Sequence, residues 1–349
     1  MSTLKVAIIC GGISSEHEIS CVSAGGVLKG LDSSKYTAIL IGITKAGRWV
    51  LLPNDYSLEI SGGKLPTVDE NAPVVVADIH GFSVAGKALD IDVVFPVLHG
   101  PYGEDGTIQG LLEIANLPYV GSGVLASAVA MDKSFAKPIF EAAGMHVADG
   151  IVITSMDKHV AIDDLAYPVF VKPARGGSSR GTHKVKSVEG LNAALKDAFL
   201  YDHKVMIEQA VNGREIECAV LESDGVISAS VVGEIVIDSK FEFYDFEAKY
   251  LDGATSVKIP ADIPPAAAEE IRQKAVQAFK ALGCSGLARC DFFYTDKGEI
   301  IINEINTMPG FTGTSMYPKL WAASGIDYTK LISALIETAL LRTNGVLGN

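Results

Sequence analysis

Near the end of the chain, Arg289-Cys290-Asp291 and Glu304-Ile305-Asn306 set charged and amide side chains inside two otherwise apolar runs. Residues two apart on a strand share a face, so Arg289 points with Asp291, and Glu304 with Asn306. Asp296-Lys297-Gly298 between them is a turn signal, so the two runs read as a hairpin. With a four-residue loop, position 291 lies opposite 304 and position 289 opposite 306. The neighbours Phe292, Phe293, Ile300, Ile301 and Ile302 bury both strands, and a buried carboxylate needs a partner or a metal. Two carboxylates and an amide oxygen beside a guanidinium make a hard-oxygen set suited to Mg²⁺, which takes few protein ligands together with substrate phosphates. The plainer alternative is a solvated hairpin face with a stray ion pair, and the apolar neighbours argue against it.

Such a hairpin needs a large core around it, and the chain can supply one. Its 349 residues suggest two or three domains, and with 48% apolar and 20% charged residues disorder as the main state is excluded. Lys plus Arg is 29 and Asp plus Glu is 42, so the formal charge is −13, which argues against a general nucleic-acid binder. No apolar run approaches the roughly 18 residues that span a bilayer. The apolar segment 6–10 is too short for a signal peptide. Cys10, Cys21, Cys218, Cys284 and Cys290 are odd in number and form no C-x-x-C pair, which suits neither zinc nor a disulfide framework. Buried thiols in a reducing cytosol are the expectation.

The first third alternates strand and helix. Segment 5–10 is a β-branched run, Gly11-Gly12 a turn, and Ser14-Ser15-Glu16 a cap for a helix reaching about Gly30. Further strands are expected at 36–43 and at 92–98, the latter apolar on both faces as in a covered parallel sheet. A helix-rich stretch follows from about Val124, then strands at 167–172 and 204–209 flanking a Gly/Ser loop at 174–181. After Gly213 the pattern is antiparallel, with strands at 215–221, 226–237, 286–294 and 299–305, a helix at 266–282, and a closing helix after Asp327. The fold class is thus α/β with α+β, divided as 1–124, 125–212 and 213–349.

Three other segments carry chemistry. Lys172 enters the loop Pro173-Ala174-Arg175-Gly176-Gly177-Ser178-Ser179-Arg180-Gly181, whose N–H groups and hydroxyls can wrap phosphate, although the order is not that of a Walker A loop. Taken alone, it is more often a flexible turn. His99-Gly100-Pro101-Tyr102-Gly103-Glu104-Asp105-Gly106 follows the strand at 92–98, beyond the carboxyl end where open α/β sheets bind ligands. Glu16 holds the equivalent place after the first strand. Singly, Glu16 reads equally as a helix-dipole charge and His99 as a structural imidazole. Glu208-Gln209-Ala210-Val211-Asn212-Gly213-Arg214-Glu215 offers backbone for a purine and carboxylates for ribose, or is a plain hairpin.

In this order, the segments resemble the ATP-grasp enzymes, and within them the D-alanine–D-alanine ligases. The resemblance rests on 11–20, 99–110, Met131-Asp132-Lys133, 172–181, 244–250 and 303–312, and spans about residues 4–340. It implies an ATP-grasp fold preceded by a Rossmann-like N-terminal domain with a parallel sheet. Lys133, Lys172, Ser178, Ser179 and Lys249 would hold ATP phosphates, while Glu208, Gln209, Ala210, Val211 and Glu215 would take adenine and ribose. Asp291, Glu304 and Asn306 would bind two Mg²⁺, with Mn²⁺ a possible substitute. Glu16 would hold the ammonium of the first D-alanine near His99 and Ser178. Arg289, Ser315, Gly310 and Met316 would position the second D-alanine and the oxyanion. Tyr250 would join Glu16 and Ser178 in closing the site.

The implied reaction is ATP-dependent ligation through a D-alanyl phosphate, for peptidoglycan precursors, in a cytoplasmic homodimer with no nucleic-acid or membrane partner. Segments 176–182 and 239–252 would close as lids that keep water from the acyl phosphate. Arg180 departs from the family, which usually has a small aliphatic residue there. Tyr250 favours an amine acceptor over a hydroxy acid. The rivals are a depsipeptide or D-alanine–D-serine ligase, an ATP-grasp ligase for another acid, and an inactive nucleotide-binding protein.

Overall fold

The computed structural model describes residues 3–154, 166–177, 179–237 and 255–342. Its first sheet is built on β1 (Leu4–Gly11), with β2 (Tyr36–Ile43) parallel on one side and β3 (Trp49–Leu52) antiparallel beyond it. A small antiparallel sheet of β4 (Val75–Asp78), β5 (Gly81–Val84) and β6 (Lys87–Ala88) intervenes in the chain. Then β7 (Val93–Pro96) pairs parallel with the other side of β1. Every residue of β7 is buried, as its two-sided apolar pattern requires. Helix α1 (His17–Gly30) starts one turn beyond β1. Ser14 does not cap that helix. Its hydroxyl donates to the His99 carbonyl at 2.8 Å and accepts from the Glu16 N–H at 3.2 Å, binding the first loop to the loop after β7. Helix α2 (Thr107–Ile114) follows that loop.

Helices α3 (Val124–Met131) and α4 (Lys133–Ala142) come next, separated by Asp132, whose carboxylate caps α4 through Ser134 N–H at 3.1 Å. They bury Ala126, Ala130, Ala136 and Phe140 in one core with Ile216, Cys290 and Ile305 of the last sheet. A second sheet holds β8 (Gly150–Ile153), β9 (Val169–Pro173), β10 (His183–Val185) and β11 (Val205–Gln209) in the order β10-β9-β11-β8, all antiparallel. With α5 (Val188–Ala198) it has its own core around Val171, Leu191 and Ile207.

The third sheet contains β12 (Gly213–Ser223), β13 (Val226–Ile237), β14 (Thr255–Lys258), β15 (Leu287–Thr295) and β16 (Ile300–Asn306), ordered β14-β13-β12-β15-β16. Helix α6 (Pro265–Ala281) covers one face, while α7 (Met316–Ala323) and α8 (Tyr328–Leu341) cover the other. That second face shares a single core with β1, α1 and β7: Ile8, Phe95, Leu221, Phe311 and Ile332 belong to one buried cluster. All five cysteines are buried free thiols. No helix among the described residues is long and apolar enough to cross a membrane.

The β15–β16 hairpin reaches the expected pairing by an unexpected route. Near the turn the register is Tyr294↔Ile300 and Phe292↔Ile302, and Thr295 N–H bonds the Glu299 carbonyl, so the loop is one residue shorter than four. Left alone, that register would face Asp291 with Asn303. A bulge between Asp291 and Phe292 leaves Asn303 unpaired and restores Asp291↔Glu304 and Arg289↔Asn306.

Candidate active site

Two cavities meet at the last hairpin. One, of about 500 Å³, lies between the second and third sheets and is lined by Phe170, Lys172, Glu208, Val211, Glu215 and Asp291 among others. The other, of about 1050 Å³, lies between the first sheet and the third and is lined by Glu16, His99, Arg180, Gly310, Ser315 and Met316 among others. Lys133, Gly176, Glu217, Arg289 and Glu304 line both. The two cavities therefore adjoin at a set of charged side chains.

Buried charge is paired throughout this junction. Arg289 donates from Nε to Asp291 Oδ1 and from Nη2 to Oδ2, both at 2.7 Å, and its Nε lies 3.1 Å from Glu217 Oε2. Burial works against its charge, yet Asp291, Glu217 and Glu304 hold its pKa well above the ordinary guanidinium value. Lys133 Nζ pairs with Glu304 Oε2 at 2.9 Å and donates to the Gly176 carbonyl at 3.1 Å. Burial lowers its pKa and Glu304, Glu208 and Glu104 more than compensate. Lys172 Nζ bridges Glu208 Oε2 at 2.6 Å and the bulged Asn303 Oδ1 at 3.3 Å.

Glu16 stands at the head of α1 in the larger cavity. A Cβ on Gly100 or on Gly177 would come within 2.8 and 2.9 Å of its carboxylate, so glycine at both positions lets two loops close on it. His99 is buried beside it, with Nδ1 3.0 Å from the Met308 carbonyl and 3.6 Å from Glu104 Oε1. Burial lowers the imidazole pKa, but Glu104, Glu16 and the Met308 carbonyl leave it raised, while burial raises the Glu104 carboxyl. On the far side, Ser315 Oγ accepts from Thr312 N–H at 3.1 Å and would lie 3.1 Å from a Cβ on Gly310.

In the smaller cavity, Gln209 and Ala210 give their N–H groups to the Asp149 and Pro168 carbonyls at 2.8 and 3.0 Å. Val211 and Glu215 line the cavity with them, as does Ser179 at its mouth. Ser178, Lys249, Tyr250 and the proposed lid at 239–252 lie outside the described residues.

Asp291, Glu304 and Asn306 lie at one end of the last hairpin, with the two carboxylates paired across it. Two carboxylates and an amide fit an octahedral cation that completes its shell with water and phosphate. Among the described residues no group of three His, Cys, Asp or Glu side chains is placed to hold a metal. Arg289 and Lys133 neutralise the two carboxylates instead, and Asn306 Oδ1 accepts the Met308 N–H at 3.0 Å.

Two family models cover most of the chain: one described as D-ala D-ala ligase N-terminus matches residues 5–122, and one described as D-ala D-ala ligase C-terminus matches residues 139–337. The chain belongs to the D-alanine–D-alanine ligase family. A D-alanine–D-alanine ligase from Mycolicibacterium vanbaalenii is 49% identical over 98% of this chain and 99% of its own. One from an Arthrobacter strain is 51% identical over 98% of this chain and 95% of its own. Among solved structures, a D-Ala:D-Ser ligase from Enterococcus faecalis matches with a TM-score of 0.85 at 36% identity, covering 97% of this chain and 100% of that one. A D-alanine–D-alanine ligase from Bacillus anthracis, complexed with ATP, matches with a TM-score of 0.74 at 29% identity, over 97% of this chain and 98% of that one.

In this ligase, two site residues escaped the sequence reading. Lys137 follows Lys133 by one helical turn and pairs with Glu208 from the side opposite Lys172. Burial and Lys172 pull its pKa down to about 8 against the opposing pull of Glu208. The i,i+4 spacing on an otherwise apolar helix face was the available signal. Glu217 lies opposite Asp291 on β12 and holds Arg289 from behind. Alternation with Glu215 on a strand put both on one face, and only the β12–β15 register could bring them to Arg289.

Proposed function

We propose that this enzyme joins two D-alanines to D-alanyl-D-alanine at the cost of one ATP, for peptidoglycan precursors. The meeting of the two cavities at Lys133, Arg289 and Glu304 carries the reading. ATP occupies the smaller cavity, its adenine and ribose against 208–211 and Glu215, its phosphates toward Lys172, Lys133, the 176–181 loop and Lys249. Glu16 holds the ammonium of the first D-alanine, with His99, Ser178 and Tyr250 around it. The donor carboxylate attacks the γ-phosphorus and ADP leaves, giving D-alanyl phosphate. The second D-alanine lies against Ser315 and Met316, and its neutral amine attacks the acyl carbon. Arg289 and the Gly310 N–H receive the oxyanion before phosphate departs.

Asp291, Glu304 and Asn306 would hold Mg²⁺, or Mn²⁺ in its place, as two ions. Bound there, the cations supply counter-charge where the donor carboxylate and the triphosphate meet. The assembly is read as a cytoplasmic homodimer, with the chain divided as 1–124, 125–212 and 213–349. ATP, Mg²⁺ and D-alanine should yield ADP, phosphate and dipeptide, and L-alanine should not replace D-alanine. Failure to form dipeptide under saturating conditions rejects the reading. The likeness to a D-Ala:D-Ser ligase sets the sharper test: D-serine and D-lactate compete against D-alanine as acceptor, and a preference for D-serine assigns the chain to that reaction instead.

A further inference from the structure

We propose that Ser23, on the buried face of α1, is a positioning residue that fixes the direction of the Gly310 N–H. The proposal rests on the ligase reading above, which gives that N–H to the oxyanion. Among the described residues no group accepts from it. It belongs to the peptide between Pro309 and Gly310, and both flanking peptides are tied down. On one side, the Met308 carbonyl accepts from His99 Nδ1 at 3.0 Å. On the other, the Phe311 N–H donates to Ser23 Oγ at 3.3 Å. Ser23 Oγ is itself 3.0 Å from His99 Nε2. The bonds close a ring: turn to Ser23, Ser23 to His99, His99 back to the turn.

Burial makes that ring consequential. Ser23, His99, Met308 and Phe311 are at most 5% exposed, so water does not replace a lost partner. The ring also assigns the imidazole protons. Nδ1 faces two acceptors, the Met308 carbonyl and the Glu104 carboxylate, and therefore carries a proton whether the ring is neutral or charged. The neutral ring then accepts at Nε2 from the Ser23 hydroxyl, whose oxygen still receives the Phe311 N–H.

Packing alone would not set this geometry. The Phe311 ring is held against Phe95, Tyr317 and Tyr328, and Tyr328 Oη donates to the Phe311 carbonyl, so the side-chain end of the turn is secure without Ser23. Gly310 lies between the two tethers, and glycine leaves its neighbouring peptides free to rotate unless they are held. Because α1 also begins at Glu16, one rigid helix sets both the donor ammonium and the oxyanion donor.

The test combines kinetics with ¹⁵N spectroscopy of histidine-labelled protein, the His99 signals being assigned by their loss in His99→Gln. Above the ring's pKa, wild-type His99 should show Nδ1 protonated and Nε2 bare. A neutral ring protonated at Nε2 overturns the proposal and requires no variant to fold. Ser23→Ala should lower kcat on the order of 10–100-fold while KM for ATP stays within about twofold, and should shift the Nε2 resonance. A folded Ser23→Ala enzyme with unchanged kcat also overturns it. If the wild type forms no dipeptide, the ligase reading fails by itself, and the tautomer still decides whether the ring exists as described.

Discussion

Arg289 lies within reach of three carboxylates, and its geometry explains why a lysine would serve poorly there. Its fork grips Asp291 with two bonds, from Nε and Nη2, while the Glu217 carboxylate stands 3.1 Å from Nε as a second counter-charge, so the guanidinium plane is fixed before any substrate arrives. Arg289→Lys keeps the charge and loses the fork. It should fold yet lose about 10²–10³-fold in kcat, which steady-state assays beside a thermal melt would check. His99 makes a prediction in pH. Its pKa is raised above 6.5, so the stability it contributes is complete below 6.5 and is lost as pH rises through the folded value. Urea unfolding across that range should show wild type losing stability relative to His99→Gln as pH increases. A parallel pH dependence in both proteins rejects the assignment. Asp291 and Glu304 were legible because buried charge in an apolar run has few uses, whereas Lys172 was read from its place before the Gly/Ser loop and Lys133 only from the family resemblance. Lys137 and Glu217 were not legible, since their partners lie on other elements.

At the scale of elements, the hairpin of β15 and β16 is decided by one bulged residue. Side chains on a strand alternate faces, so a one-residue slip exchanges the buried set with the polar set. Asn303 absorbs that slip, and by leaving the ladder it also brings its amide to Lys172. Deleting Asn303 should close the ladder with Asp291 still opposite Glu304 and Arg289 still opposite Asn306, while removing the amide that meets Lys172. The expected result is retained ligation with a raised KM for ATP, read from steady-state assays. Loss of ligation to background would mean that the bend made by the bulge is itself required. Strands at 36–43 and 226–237 appear where their apolar patterns predicted them. The short strands β3, β8 and β10 were missed, because three or four residues carry too little periodicity to separate strand from loop.

Taken whole, the molecule places the smaller cavity, proposed for the nucleotide, against a sheet with a core of its own, and the larger one against a core shared by the first and last thirds. Ligand that binds only the folded state stabilises it by mass action, about 2.7 kcal/mol at 100 times Kd. ATP with Mg²⁺ should therefore raise the melting temperature, and EDTA should remove most of that gain. Lys133→Met should abolish it, because Lys133 stands where the cavities join. An undiminished shift in that variant would place the phosphates elsewhere. The sequence by itself determined the alternation of elements, the hairpin and the kinds of group the site contains, since periodicity and the cost of buried charge are local properties. Tertiary structure alone decided the compensating bulge, the grip of Glu217 on Arg289 and the ring through Ser23, because each joins atoms whose separation depends on how the sheets pack and pair.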